Sequence, residues 1–385
     1  MAVKLSVAIP YRRRLTNLRL AFEALARQTM ETADYEVLVG AMEYCADYVE
    51  LCREYEGRLT IVSVLSPERF EIPRARNLAT RMASGQVVVH MDADTLLPAD
   101  ALDHLWDRHF SFGQNACVVG QVVGYDNNAG GDIDTVETLP YAAYLPMLEE
   151  IRGSRGASRD PRFQAEHVIP WAFAWTGLVA LPVATVRAHG LFFDEDFRGW
   201  GVDDLEWGYR VCLSRTPIVL REDVFALHLP HVRDSAANQR SEAGNYRRFL
   251  RKWPRPDVEL AHAFGDVAAN SLFLDHTRQV RRLAGGGDRT LASVRATVDG
   301  TDLLLLGVPV DADGQVQDPA ARALLDRGTG VEVLPLVGLA LPYEDGSVGE
   351  CRLSPVLTGL SHPMPAAIRT EAHRVARAVT GWSAP

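Results

Sequence analysis

GQVVVHMDAD, residues 85–94, is the stretch on which the fold turns. The run Val87-Val88-Val89 leaves no polar face, so it reads as a strand buried on both sides, as central parallel strands are. It then ends in Asp92 and Asp94. Side chains two apart on an extended segment point the same way, so the two carboxylates together suit one divalent ion, Mg²⁺ or Mn²⁺. The plainer alternative is a D-A-D-T turn whose aspartates bond nearby backbone N–H groups. Location favours the ion, because an apolar strand should not close on paired carboxylates unless something offsets their repulsion.

Upstream of this strand the hydrophobic period alternates between two and 3.6. Val3, Leu5, Val7 and Ile9 mark a strand that stops at Pro10, and Leu18, Ala21, Phe22 and Leu25 predict a helix over 16–27 behind Thr16 and Asn17 as caps. Strands are predicted at 35–40 and 59–65, with helices through Tyr48, Leu51, Cys52 and Tyr55 and through Ala75, Leu78, Ala79 and Met82. The sum is a βαβαβαβ array, hence an α/β fold with a doubly wound, mostly parallel sheet and ligands at the carboxyl ends of its strands. Beyond 113 the pattern loosens. ACVVGQVVGY reads as a strand, whereas GGDIDTVETLP and GSRGASRDPR read as loop on the substrate side. Regularity returns in WTGLVALPVATVRAHG, in FFDEDFRGWGVDDLEWGYRVCL as a turn opening a helix, and in the apolar run of PIVLREDVFALHLPHVRD. A catalytic domain over 1–250 is expected, then a helical linker over 251–287 from the KWPRP breaker to the Gly285-Gly286-Gly287 hinge, then a small α/β module over 288–385.

The 385 residues are 47% apolar and 23% charged, which supports a globular core and excludes disordered, collagenous and coiled-coil classes. A net charge of −10 repels a phosphate backbone, so no nucleic-acid partner is expected. The five cysteines form no C-x-x-C pair and read as reduced thiols. No signal-peptide core and no apolar run of ~18 residues is present, so no integral membrane segment and a cytoplasmic location are expected.

Three further groups carry chemistry. His228 and His231 follow an apolar run, and an imidazole completes a carboxylate site when the ion is Mn²⁺, although a lone histidine is more often structural. Gly199 and Gly201 frame Trp200, a flat platform for a sugar ring, and Asp203, Asp204 and Glu206 then open a helix. Asp203 and Glu206 read equally as a capping box; one cap does not need three acids, and a carboxylate held there is placed to act as a base. Arg12-Arg13-Arg14 ends the first strand, and Arg74, Arg76 and Asn77 open the third helix, where anionic phosphates belong in such a sheet. Neither position holds a dinucleotide or P-loop motif.

In this order SVAIPYRRRLTNL, FEIPRARNLA, VVVHMDADT, FFDEDFRGWGVDDLEWGYR and HLPHVRD resemble a GT-A glycosyltransferase of the family 2 kind over roughly residues 1 to 250, and the G-W-G-x-D-D segment is similar to that of beta-1,4-galactosyltransferases and chondroitin-type polymerases. The resemblance implies a UDP-sugar donor carrying a hexose or N-acetylhexosamine, bordered by Pro10, Tyr11, Arg12, Arg14 and Gly177 and held by Arg76 and Asn77. It implies Asp92 and Asp94 at the diphosphate, with Asp94 the closer ligand to Mn²⁺ or Mg²⁺ and His231 rather than His228 the metal histidine. Asp203, Trp200 and Gly201 would bind the acceptor, a glycan, small molecule or peptide, and Asp204 would remove its proton in an inverting transfer. The turn that in this family contacts uracil is replaced by YEVLVGAMEYC, which offers only Glu43.

LLLLGVPVDADG and LALPYEDGSVGECRLSPVLTGL resemble parts of a Rossmann-type methyltransferase, but the cofactor's glycine-rich turn is missing. The tail is read as a degenerate, non-catalytic module that packs on the enzyme, mediates association into a homo-oligomer or contacts the acceptor carrier. Two rival readings stand beside the transferase. One is metal-dependent nucleotidyl transfer, in which the G-W-G-V-D-D turn has no role; the other is a non-catalytic nucleotide-sugar-binding scaffold.

Overall fold

Leu5, Val7, Ile9 and Tyr11 share one face of strand β1 (Leu5–Tyr11) and are buried in one core cluster with Val37, Val39, Val87 and Val89. Period-two alternation thus decides which half of β1 is core. The computed structural model describes residues 3–124, 138–154, 160–232 and 234–382. Contacts divide the chain into two units, Met1–Ala165 with Pro170–Asn245 and Glu166–Ile169 with Tyr246–Pro385.

In the first unit β1 is followed by α1 (Leu15–Leu25), β2 (Tyr35–Ala41), α2 (Ala46–Glu54), β3 (Ile61–Leu65), α3 (Ile72–Arg81), β4 (Val87–Met91), β5 (Thr95–Leu96), α4 (Ala101–His109), β6 (Cys117–Gly124), α5 (Tyr141–Gly153), β7 (Leu178–Pro182), α6 (Val183–His189), α7 (Asp203–Leu213), β8 (Ile218–His228) and α8 (Ser235–Lys252). The eight strands form one sheet in the order β3-β2-β1-β4-β7-β6-β8-β5. The β3-β2-β1-β4 half is parallel, β7 runs antiparallel to β4 and β6, and β6 is parallel to β8. The fold is therefore α/β of the GT-A type, with a parallel half and a mixed half. Strand order reverses beside β1, so the carboxyl ends of β1 and β4 flank the switch point where ligands of such sheets bind.

Two local expectations change, and two features are added. Strand β1 runs through Pro10 to Tyr11, because its pairing with β4 ends at Ala8 and the missing N–H costs no bond on that side. Thr16 and Asn17 do not cap α1, which starts after Arg14; Asn17 is buried and bonds elsewhere. Between the two stretches read as loop, 130–140 and 153–162, stands the helix α5, which is not among the predicted elements and whose Tyr144, Leu148 and Ile151 keep helical spacing around Pro146; residues 125–137 and 155–159 lie outside the described residues. In the β6–β8 pairing Gly120 meets Arg221 but Gln121 meets Phe225, so residues 222–224 form a bulge on β8.

Helix α3 lies so close to β2 that a Cβ on Gly40 would stand 1.9 Å from the Ala75 carbonyl oxygen. This approach sets the start of α3, with Arg74, Arg76 and Asn77, at the carboxyl end of the sheet. Gly40→Ala is expected to destabilise the first unit by about 3 kcal/mol, read as a lower urea midpoint, because backbone rather than a flexible side chain must give way.

The unit boundary at Asn245 falls inside α8, short of the expected edge at 250. The second unit holds α9 (Pro256–Phe264), α10 (Asp266–Leu283), β9 (Thr290–Val298), β10 (Thr301–Val310), α11 (Pro319–Leu325), β11 (Gly328–Leu334), β12 (Val348–Leu353), α12 (Met364–Val375) and β13 (Ala376–Gly381), its sheet ordered β11-β9-β10-β12-β13. Gly307 lies within β10 at a bulge, where a Cβ would meet Leu357, rather than in a cofactor turn. Among the described residues no helix is long and apolar enough to cross a membrane.

Candidate active site

The backbone after β4 explains why Asp94 meets two histidines. The Thr95 amide donates to the Asp92 carbonyl at 3.1 Å, so D-A-D-T is a turn. It leads into β5, which pairs with the end of β8 so that Thr95 stands opposite His228, and the Leu229 amide donates to the Asp94 carbonyl at 2.7 Å. Asn17 of α1 donates to the Pro230 carbonyl at 3.0 Å, fixing the chain between the two imidazoles. As a result His231 Nδ1 lies 3.1 Å from Asp94 Oδ2 and His228 Nε2 3.7 Å from Oδ1, and Arg14 closes on the same carboxylate as an ion pair.

Asp94 is 1% exposed. Burial alone would raise its carboxyl, but the His231 hydrogen bond and the charges of Arg14 and the imidazoles outweigh it and hold the group well below the usual carboxylate range. The donor atoms of Asp94, His228 and His231 lie within 4.8 Å of one another. One carboxylate with two imidazoles fits Mn²⁺ better than Mg²⁺, which prefers an all-oxygen shell.

This differs from the sequence expectation in two respects. Asp92 and Asp94 do not share a face, because β4 ends at Met91 and the chain turns; Asp92 instead pairs with Arg76 at 3.1 Å. His228 joins the cluster beside His231, because β5 pairing draws the end of β8 alongside Asp94. Arg233 of the HVRD run lies outside the described residues.

Arg76 links the turn that leads to Asp94 with a second group of acids. Buried at the start of α3, it donates to Asp203 at 2.7 Å and to Asp92 at 3.1 Å, so one guanidinium ties the strand end to the first turn of α7. Asp203 is inside the helix rather than its N-cap; the cap is Val202, without a side-chain bond, and Glu206 receives Arg210 at 3.0 Å. The capping box is therefore absent. Asp204 accepts the Leu205 amide at 2.9 Å, and among the described residues no cation lies within ion-pair distance of it. It stays half-buried rather than sealed from solvent. Burial first and the neighbouring Asp203 second push its carboxyl up to about 7, against the pull of Arg76. Asp203 is also raised by burial, with Arg76 opposing.

The turn before α7 is held from outside. Gly199, Gly201 and Val202 adopt φ of 72°, 91° and 73°, and the last is costly for a β-branched residue. Ser241 of α8 exchanges hydrogen bonds with the Trp200 backbone, Asn245 donates to the Arg198 and Gly201 carbonyls, and Glu71 accepts the Gly199 amide at 2.9 Å. Trp200 is left 44% exposed above them. Sequence reasoning missed Ser241, Asn245 and Glu71, which lie far along the chain and carry no spacing signal.

The other expected residues divide. Pro10, Arg12 and Arg14 stand at or after the β1 carboxyl end, Arg12 over the Phe70 ring at 5.5 Å. Glu43 accepts the Arg13 amide at 2.7 Å and so shapes the loop after β1. Gly177 precedes β7, its carbonyl 3.2 Å from the Thr95 hydroxyl. Tyr11 is buried and stacked on Tyr48 at 4.7 Å, because it continues the inward face of β1. Asn77 is also buried, with its amide committed to the Phe193 backbone and Glu195 at 2.8 to 2.9 Å; it clamps the segment leading to α7.

Comparison with known proteins bears on this site. Residues 6–160 match the model of glycosyl transferase family 2. The chain is 28% identical to validoxylamine A glucosyltransferase of Streptomyces hygroscopicus subsp. jinggangensis (strain 5008), over 97% of this chain and 96% of that protein. It is 31% identical to a protein of the same name from Streptomyces hygroscopicus subsp. limoneus, over 70% of this chain and 62% of that one. Chondroitin synthase of Escherichia coli is 25% identical over 54% of this chain and 32% of its own length. A match to that family over residues 6–160, and likeness to a glucosyltransferase along nearly the whole chain, make this protein a glycosyltransferase whose first part is similar to family 2.

Proposed function

We propose that the chain is a metal-dependent, inverting glycosyltransferase that moves a hexose from a UDP-sugar to a hydroxyl of a small-molecule acceptor. The observation that carries this reading is the linked pair of carboxylate groups: Asp94 with two imidazoles on one side, and Asp203 with the unpaired Asp204 on the other, joined through Arg76 and Asp92. Asp94, His228 and His231 would hold Mn²⁺. Bound there, the ion would neutralise the diphosphate leaving group. Arg12 and Arg14 supply fixed positive charge at the same strand ends.

Asp204 takes the proton of the acceptor hydroxyl, whose oxygen attacks the anomeric carbon as the carbon–oxygen bond to the diphosphate breaks and UDP departs with the electron pair. Attack opposite the leaving group inverts the configuration. Trp200 offers the face on which an acceptor ring stacks, and Asp203, oriented by Arg76, accepts one of its hydroxyls. The name of the relative matched over nearly the whole chain makes UDP-glucose the first donor to test. UDP release and acceptor glucosylation with Mn²⁺ are the expected result; pyrophosphate release instead would mean nucleotidyl transfer, and no turnover with any nucleotide sugar a scaffold.

A base with its carboxyl near 7 works only when ionised, so kcat/KM should rise with pH through about 7. Asp203→Asn removes the neighbouring negative charge and should move that limb to lower pH, whatever it does to the plateau. An unmoved limb would assign it to another group.

We further propose that the second unit is a non-catalytic module. S-adenosylmethionine should then give no saturable rise in melting temperature, and such a rise would overturn this.

A further inference from the structure

The bulge on β8 places a second cluster away from the catalytic groups. Residues 222–224 leave the β6–β8 ladder, and Asp223 projects from that bulge to α4, where His104 Nε2 lies 2.8 Å and His109 Nε2 3.3 Å from one oxygen, Oδ2. The three donor atoms lie within 4.8 Å of one another. All three side chains are half-buried, at 22%, 11% and 31% exposure, so the cluster is sheltered yet open to solvent. Beside it is a hollow of about 10 Å³, lined by His104, Asp223 and Phe225 among others, which is room for roughly one water. Of the cations near it, Arg152 is matched by Asp100, which it contacts at 2.6 and 2.9 Å, while the charge of Arg221 also acts on His109.

We propose that His104, His109 and Asp223 form a second metal site, of the kind that takes Zn²⁺, with water as its fourth ligand. The donor set is two imidazoles and one carboxylate, a recurrent zinc combination that leaves one position open. The spacing is close to what the ion needs, since tetrahedral bonds of about 2.0–2.1 Å put neighbouring donors about 3.3 Å apart. Without an ion, two rings must both aim an N–H at one oxygen; with one, both offer lone pairs to the same centre. The bulge gives the second, independent indication, because it gives up ladder bonds to present this one carboxylate, and bulges of that kind re-aim side chains at sites. The ion would clamp α4 to β8, the strand that ends in His228. It is not the catalytic ion, because Asp223 precedes His228 by roughly 15 Å of strand.

The test separates the two clusters. Metal-free His228→Ala/His231→Ala protein is titrated with Zn²⁺ by calorimetry and with Co²⁺ by visible absorption. One equivalent should bind, the cobalt complex should show tetrahedral bands, and Zn²⁺ at a hundred times its Kd should raise the melting temperature by roughly 5 to 10 °C. Adding His104→Gln/His109→Gln, or separately Asp223→Asn, should abolish that equivalent and the shift while the metal-free melting temperature stays within a few degrees. Absence of binding in the first protein, or binding that survives in both added variants, would overturn the proposal. Because the parent lacks the catalytic cluster, neither outcome depends on glycosyl transfer.

Discussion

Asp204→Asn is expected to lower transfer by on the order of 10² to 10⁴ while UDP affinity in the presence of Mn²⁺ stays nearly unchanged. The substitution keeps the volume and the acceptor oxygen for the Leu205 amide, but an amide cannot take the proton of the attacking hydroxyl. The stability readout discriminates as well. A carboxyl raised to about 7 in the folded protein binds its proton more tightly than in the unfolded chain, where ~3.9 is usual. The folded state therefore loses stability as pH rises from about 4 through about 7. Asparagine has no such dependence, so the variant should melt no lower than wild type at pH 8. If the acids of α7 only stabilised the helix end, the variant would turn over normally and melt lower, by the equivalent of ~1 kcal/mol. Near-normal transfer would remove the base assignment and the inverting mechanism together.

The parallel half of the sheet was legible because each strand and helix announces its period locally: Val87-Val88-Val89 is buried on both faces and Leu18, Ala21, Phe22 and Leu25 are buried on one. Pro10 and Asn17 misled, since what decides them lies across the sheet, in the early end of β1–β4 pairing and in the Pro230 carbonyl. The hairpin of the second unit was half seen. TDLLLLGVPV stood out by its leucines, whereas its partner β9 shows only weak alternation; the Asp299-Gly300 pair, both at positive φ, was the available signal.

The site divides in the same way. Asp94, Asp203 and Asp204 could be singled out because each sits near the end of a strand or the start of a helix, a position that sequence periodicity reveals. The geometry around Asp92 differs from the expectation for a physical reason. Two-residue spacing puts carboxylates on one face only while the chain stays extended, and the Thr95 to Asp92 bond shows that it does not. His228 was set aside on motif likeness, yet two-residue β5 fixes it beside Asp94 by pairing that leaves almost no sequence trace. Arg76 was expected at a nucleotide; its two acids come from positions 92 and 203, whose proximity only the fold supplies.

Removal of Asp94 should have the widest effect. Asp94→Ala is expected to reduce kcat/KM by on the order of 10³ or more, since the carboxylate that would anchor the metal is lost while Arg14, His228 and His231 are left facing one another without their anion. Folding is checked by melting both proteins in chelator. The measurement that isolates the metal is a cycle: UDP affinity of wild type and variant, each with Mn²⁺ and with chelator. In wild type Mn²⁺ should tighten UDP at least about tenfold, because ligand charge and metal charge are coupled and the coupling is reciprocal. In Asp94→Ala the same addition should change little, and the variant's affinity should approach that of wild type in chelator. Asp94→Asn, which keeps the shape and one oxygen, should fall between the two. Equal UDP affinity with and without metal in wild type, or full activity in Asp94→Ala, would remove the ion from the mechanism and leave Arg12 and Arg14 as the only counter-charges proposed for the departing diphosphate.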